Sequence, residues 1–237
     1  MTVSVGEFTL DWLGYATARI EGPSGTVVYT DPGRYGVLDD YDARDGDLVL
    51  VTHDHHYDPD GIERVAREDA TVLVYEAVDP VGIDRDVADP ESLPHDVRRV
   101  AYGDELRVKD VDVSVVPAYN RVDGPRADED GVVSHPEGFG CGFLFRVDGL
   151  ATFWPGDSDV LDEHADLDVT VLLPSIAQSY TMDRREAADL AETLQPDLVL
   201  PIHYDTFEAL EADSAAFAAD VAGRGIPVVL DERETGQ

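Results

Sequence analysis

Basic residues are scarce in this chain. Lys109 is its only lysine, and arginine brings the bases to 17 against 51 acids, a formal net charge of −34 over 237 residues. A phosphate-backbone partner is thereby disfavoured, since nucleic-acid binding needs a basic face. The acids are scattered rather than gathered in a tail, which suggests a solvated carboxylate surface around an ordinary core. Such a surface repels itself at low ionic strength and is tolerable where salt screens it, the Debye length being about 3 Å at 1 M. This is the composition expected of a halophilic protein in a salt-filled cytoplasm, as in haloarchaea.

Cysteine is equally rare. Cys141 stands alone, so no internal disulfide can form. Within Gly140-Cys141-Gly142-Phe143-Leu144-Phe145 it reads as a small buried hydrophobe. No apolar run approaches the roughly 20 residues of a membrane helix. The N-terminus shows no basic segment followed by an apolar stretch. A cytoplasmic protein without a membrane partner is expected. Apolar residues make up 43%, an ordinary share for a globular chain, and the length suits a single domain over residues 1–237.

Histidine is also infrequent, yet three of the seven fall within Thr52-His53-Asp54-His55-His56-Tyr57-Asp58-Pro59. The apolar run Leu48 to Val51 before them reads as a buried strand that stops at His53. At a strand's end His53 and His55 project to one side, because side chains alternate with period two. Two neighbouring imidazoles can share one divalent cation, and zinc binds imidazole nitrogen at about 2.0–2.1 Å.

Other apolar runs end in similar residues. The chain opens with an antiparallel hairpin whose second arm is Thr26 to Thr30, closed by the turn Asp31-Pro32-Gly33. Residues 60–67 have helical spacing, and Thr71 to Tyr75 reads as a strand. Arg98 to Tyr102, Leu106 to Val108 and Val111 to Val116 read as strands of a second antiparallel stretch. Residues 121–138 form a long polar loop containing His135, which comes just before the strand Phe139 to Val147. The return strand Leu150 to Trp154 leads into Pro155-Gly156-Asp157. Val169 to Pro174 is a further buried strand, 183–194 an amphipathic helix, and the run from Asp197 to Ile202 meets His203. Residues 207–223 read as a last helix, and Pro227 to Leu230 as a last strand. Strands of packed sheets end on a common rim, which would gather His53, His55, His135, Asp157 and His203. His95 and His164 lie in acidic contexts and receive no role. The recurring order of hairpin, strand with polar end, and helix implies one αββα domain with its core between two sheets.

These pieces carry a resemblance. Leu13-Gly14-Tyr15-Ala16, Thr30-Asp31-Pro32, Val51-Thr52-His53-Asp54-His55, Gly156-Asp157-Ser158-Asp159, Thr181-Met182-Asp183 and Leu200-Pro201-Ile202-His203-Tyr204 resemble, in order, the metallo-β-lactamase superfamily. They are most similar to its single-domain branch around L-ascorbate-6-phosphate lactonase. The resemblance implies an α/β fold of the four-layer αββα sandwich type, with two mixed sheets face to face and helices outside. It also implies His53, His55 and His135 at a first metal position, Asp157 bridging, and His203 at a second. The family motif of histidine, any, histidine, any, aspartate, histidine is altered here. Either His56 replaces its last histidine, or Asp58 supplies a displaced carboxylate.

The cofactor expected is zinc, one ion or two, with Mn2+ or Fe2+ as alternatives for such a donor set. A bound divalent cation lowers the pKa of its water to about 7, which implies a metal-dependent hydrolase acting on a small-molecule ester, lactone, thioester or phosphodiester. Asp58 or Asp54 would handle the proton as the catalytic residue, with Tyr119, Tyr180 and Tyr204 as hydroxyl donors. A catalytically degenerate metal- or ligand-binding protein of the same fold is the alternative. A nuclease is disfavoured by the charge.

Overall fold

A computed structural model describes residues 2–232. A seven-stranded sheet holds β1 (Val3–Val5), β2 (Phe8–Gly14), β3 (Thr17–Glu21), β4 (Val27–Thr30), β5 (Gly46–Val51), β6 (Ala66–Tyr75) and β7 (Asp96–Val100) in sequence order. β1 to β4 pair antiparallel, and β4 to β7 pair parallel. A six-stranded sheet follows the same plan with β8 (Glu105–Val108), β9 (Val111–Ala118), β10 (Gly140–Val147), β11 (Leu150–Trp154), β12 (Val171–Leu172) and β13 (Leu198–Val199). Its first four strands are antiparallel and its last two join in parallel. These are the two mixed sheets of the metallo-β-lactamase fold anticipated above.

Local chemistry explains the elements. All six residues of β5 are buried, as parallel strands covered on both faces require. Asp148 and Gly149, both at positive φ, make the two-residue turn between β10 and β11, a geometry matched to the twist of paired strands. α1 (Pro59–Val65) is capped by the Asp58 carboxylate, with proline at its first position. α2 (Arg184–Leu194) starts with a reciprocal capping box between Asp183 and Glu186, and it packs on α3 (Ser214–Gly223), capped by Asp213. Apolar side chains of both sheets and all three helices form one continuous core.

Several boundaries differ from expectation. The strand placed at Arg98 to Tyr102 spans Asp96–Val100 and completes the first sheet beside β6, rather than joining the second. Its sequence cannot reveal this, because a short edge strand pairs with whichever edge the crossover presents. The helix expected over 207–223 is split: Glu208–Leu210 is a single 3-10 turn, and Asp213 caps a fresh start at Ser214. α1 ends at Val65, and β6 begins at once at Ala66, five residues before the expected strand. Pro227 to Leu230 contributes only an isolated bridge, Val199 to Val228. Among the described residues no helix is long and apolar enough to cross a membrane.

The parallel strands of both sheets finish on one rim, and there the two sheets are tied together. Trp154, at the end of β11, donates its Nε1–H to Asp31, just past β4, at 2.7 Å. The Cys141 amide of β10 donates to the Thr52 carbonyl, just past β5, at 3.1 Å.

Candidate metal centre

The turn after β5 carries His53, His55 and His56 to this rim, and the loops after β11 and β13 bring Asp157 and His203. His135 arrives from the long loop, which is fastened there: Asn120 donates its amide N–H to the His135 carbonyl at 2.7 Å. The His53 Nε2 and His135 Nε2 stand 3.6 and 3.4 Å from Asp157 Oδ2, and His55 Nδ1 lies 3.1 Å from His135 Nε2. On the other side His56 Nε2 and His203 Nε2 stand 3.6 and 3.7 Å from Asp157 Oδ1, and 3.1 Å from each other. Two donor groups thus share one carboxylate, and the six residues named from the sequence all converge. Of the two readings of the altered motif, His56 is the residue brought into the cluster.

Asp58 is not. Its carboxylate accepts the Arg34 amide at 2.6 Å and the Gly61 amide at 3.4 Å, as befits a helix cap. It lines a separate depression with Gly33, Asp60 and Arg64. Asp54 likewise accepts the Asp79 amide at 3.0 Å. Tyr180 lines the pocket over the cluster. Tyr204 instead stacks on Trp12 and donates to Glu232, and the Tyr119 backbone pairs with Ser158 and Asp159. His164 is fully buried, with Nε2 2.9 Å from the Pro117 carbonyl, a structural role that its acidic surroundings hid.

The residues fit a cation. Asp31, wholly buried, accepts hydrogen bonds from the Thr52 amide (2.8 Å), the Thr52 hydroxyl (2.8 Å), the Trp154 indole (2.7 Å) and His56 Nδ1 (2.9 Å). Because Thr52 gives its proton to Asp31, its oxygen accepts from His53 Nδ1 at 2.9 Å. His135 Nδ1 donates to Asn120 Oδ1 and the Tyr180 carbonyl, both at 3.2 Å. With their outer nitrogens protonated in this way, the neutral rings of His53 and His135 turn bare lone pairs inward. His53 Nε2 and Asp157 Oδ1 are buried without a hydrogen-bond partner. Facing lone pairs at these separations repel unless a cation lies between them. Two nitrogens at about 2.0–2.1 Å from one tetrahedral ion stand about 3.4 Å apart, close to the spacings seen here. Gly140 makes room for the arrangement, since a Cβ there would fall 2.8 Å from the Cβ of His53.

Proton affinities agree. Burial, reinforced by the neighbouring imidazoles, holds His53 and His203 well below the usual histidine value and His135 at about 3. Burial, His56 and the guanidiniums of Arg34 and Arg85 bring His55 to about 4. These four rings are neutral ligands at neutral pH. Burial also works against a charged His56, but the carboxylates of Asp157 and Asp31 outweigh it and raise its pKa. Burial pushes Asp157 up to about 6.

Asp31 and Tyr15 are site residues that reasoning from sequence left without a role. Tyr15 packs its ring 4.9 and 4.7 Å from those of His56 and His203, and its carbonyl accepts the His203 amide. Both belong to short segments noted only for their resemblance, and an aspartate before proline reads locally as a turn.

A beta-lactamase superfamily domain profile matches residues 9–203. The chain belongs to the metallo-β-lactamase superfamily. Two proteins, each called a UPF0173 metal-dependent hydrolase, are similar over nearly their whole length. The one from Archaeoglobus fulgidus is 27% identical, covering 92% of this chain and 93% of its own. The one from Methanopyrus kandleri is 29% identical, with 96% and 97% covered. Among solved structures, Igni18, a metallo hydrolase from Ignicoccus hospitalis, superposes with a TM-score of 0.65 at 21% identity, covering 96% of this chain and 95% of its own. An isothiocyanate hydrolase from Delia radicum gut bacteria gives 0.67 at 15%, covering 94% and 97%. At such identities these two structures speak for the shared superfamily fold.

Proposed function

We propose that this metal-dependent hydrolase acts on a small-molecule ester, lactone or phosphodiester, with His53, His55, His135 and Asp157 holding one cation and His56, His203 and Asp157 a second. The observation that carries the reading is the inward set of imidazole nitrogens around the unpartnered Asp157 oxygen. Imidazole with carboxylate suits zinc first, and manganese or iron next. When bound, a divalent cation supplies a lowered pKa for water and polarises a substrate oxygen.

The chain's own residues do the rest. Asp31, Thr52 and Asn120 fix the orientation of the ligand rings through hydrogen bonds on their far nitrogens. Tyr15 and Phe207 wall the pocket and exclude water on the side of His203. Tyr180, which reaches the same pocket, is placed to donate its hydroxyl to a substrate oxygen. Asp58 positions backbone in this reading rather than moving protons. A lactone belongs among the substrates through the resemblance to L-ascorbate-6-phosphate lactonase, and the acidic surface suits work in a salt-filled cytoplasm.

The test is metal analysis of protein purified in molar salt without chelator, followed by turnover of aryl esters, lactones and bis-phenyl phosphate. We expect one or two equivalents of metal. Turnover should fall by roughly 10³-fold or more in His53→Ala and Asp157→Ala, since the cation supplies several kcal/mol of charge stabilisation. Metal-free protein, with activity indifferent to both changes, would reject the proposal. Stoichiometric metal without turnover of any of these substrates would favour the second reading, a binding protein. That reading is motivated by the second donor group, which has two imidazoles and one oxygen of a shared carboxylate.

A further inference from the structure

Arginines in so acidic a chain are mostly spent on carboxylates: Arg19, Arg67, Arg99, Arg126, Arg184 and Arg224 all form ion pairs. Two at the mouth of the metal centre are not. Arg34 and Arg85 line one cavity of about 300 Å³ beside His55, and among the described residues neither lies in an ion pair. Arg34 has its Nε buried without a partner, its guanidinium carbon 4.8 Å over the Tyr35 ring, and one N–H on the Tyr35 hydroxyl. Arg85 donates from Nη2 to the Tyr57 carbonyl at 2.8 Å and the Asp54 carbonyl at 3.5 Å, and among the described residues its Nε and Nη1 make no hydrogen bond. Asp54 and Asp84 share the cavity wall, but Asp54 is engaged by the Asp79 amide.

The backbone adds an independent sign. Arg34 and Tyr35 both adopt positive φ, at 66° and 51°, between Gly33 and Gly36. A non-glycine residue in that region is strained, and strain of this kind persists where the surroundings enforce it. Here the Asp58 carboxylate enforces it by accepting the Arg34 amide. The turn thus sets a guanidinium and an aromatic ring at the edge of the site, where two more glycines would be less strained. Arg34 also borders the neighbouring cavity of about 320 Å³, whose lining includes the ring cluster of Tyr15, Tyr35 and Phe207. Tyr35 is 53% exposed, an open apolar face in a polar surface.

We propose that Arg34 and Arg85 form an anion subsite, and that the substrate is amphiphilic: a carboxylate or phosphate held by the two guanidiniums, an apolar part against Tyr15, Tyr35 and Phe207, and the scissile bond between them over Asp157. This rests on the hydrolase reading for the scissile bond only; the anion subsite stands by itself. Contact donors are needed because the far field of a chain at −34 repels anions, and in molar salt only charges within about 3 Å screening lengths act at all. Guanidinium forks supply them, with the planar pairing that carboxylate and phosphate accept.

Calorimetric titration of the metal-loaded full chain in molar KCl with benzoate, phenyl phosphate and neutral benzamide tests the subsite. Both anions, or one of them, should bind about tenfold or more tighter than benzamide, as charge-assisted hydrogen bonds allow. The stronger anion then names the substrate's charged group. Arg34→Gln/Arg85→Gln should erase the preference, Arg34→Gln alone should weaken it, and Arg34→Lys should keep part of it. His53→Ala, which disturbs the metal rather than the arginines, should leave it in place. Equal binding of benzamide, a preference that survives the double change, or one that disappears with His53→Ala would each overturn the proposal. Arginine-dependent anion binding without any ester, lactone or phosphodiester turnover would sink the hydrolase reading and leave the subsite; turnover of neutral esters without the preference would do the reverse.

Discussion

Asp31 shows how much of this site depends on a residue that is not itself among the candidate ligands. Its carboxylate gathers a hydroxyl, an indole, an imidazole and an amide, all buried, and so fixes the tautomer of His56 directly and that of His53 through Thr52. Replacing it by asparagine keeps the shape and tolerates the positive φ of 37°, but removes the charge. Outer partners of this kind are worth about 10–100-fold in metal affinity. Asp31→Asn should lower affinity for zinc by that factor in a chelator-competition titration, and an unchanged value would show that charge at Asp31 is irrelevant to the site. The titration of the ligands gives a second expectation. Metal displaces protons only from groups that hold them, and His55 and His135, at about 4 and about 3, hold none near neutrality. Asp157, raised to about 6, takes one up as the pH falls through that value. Zinc affinity should therefore fall as pH drops through about 6, with one proton released below that pH; a pH-independent affinity between pH 5 and 7 would contradict this.

At the scale of elements, the ends of parallel strands decide where the candidate donors sit, and this was legible in the sequence. β5 reads as a buried strand because Leu48 to Val51 are uniformly apolar, and the histidines follow where it stops. Asp157 and His203 could be placed by the same logic, since each follows a short apolar run. His135 was recognisable only as a histidine in a loop; its position depends on Asn120 and Tyr180, which no local pattern connects to it. Asp58 is ambiguous in the sequence for a physical reason. A carboxylate beside a histidine cluster and a carboxylate before proline at a helix start are the same residue in sequence, and only the Gly61 and Arg34 amides show which role it takes. Asparagine caps helices about as well as aspartate. Asp58→Asn should thus leave the thermal midpoint within a few degrees and turnover within a few-fold, whereas Asp58→Ala should lose about 1 kcal/mol of stability in denaturant melts. A collapse of turnover in the asparagine variant with its stability intact would restore Asp58 to proton transfer. The pairing of β7 with β6 was not legible at all, because partner choice at a sheet edge is set by the whole crossover.

For the molecule as a whole, charge is the dominant fact. At −34 over 237 residues the folded state concentrates carboxylates that the unfolded chain keeps apart, so repulsion opposes compaction until salt screens it. The thermal midpoint should rise steadily between 0.1 and 2 M KCl, on the order of the Debye length falling from about 10 Å toward 3 Å or less. A flat midpoint over that range would show that the surface is not under this strain. The two local ion-pair clusters around Arg19 and Lys109, each with several acids, remove only a small part of the excess.

The donors of the metal centre are divided between the two sheets: three histidines follow β5 of the first, while Asp157 and His203 follow strands of the second. An ion held among them is a rivet through both layers. Stripping it should ease the layers apart at that rim before the antiparallel strands on the far edges notice. The melting temperature should track free zinc concentration, gaining about 2.7 kcal/mol at a hundredfold excess over the dissociation constant.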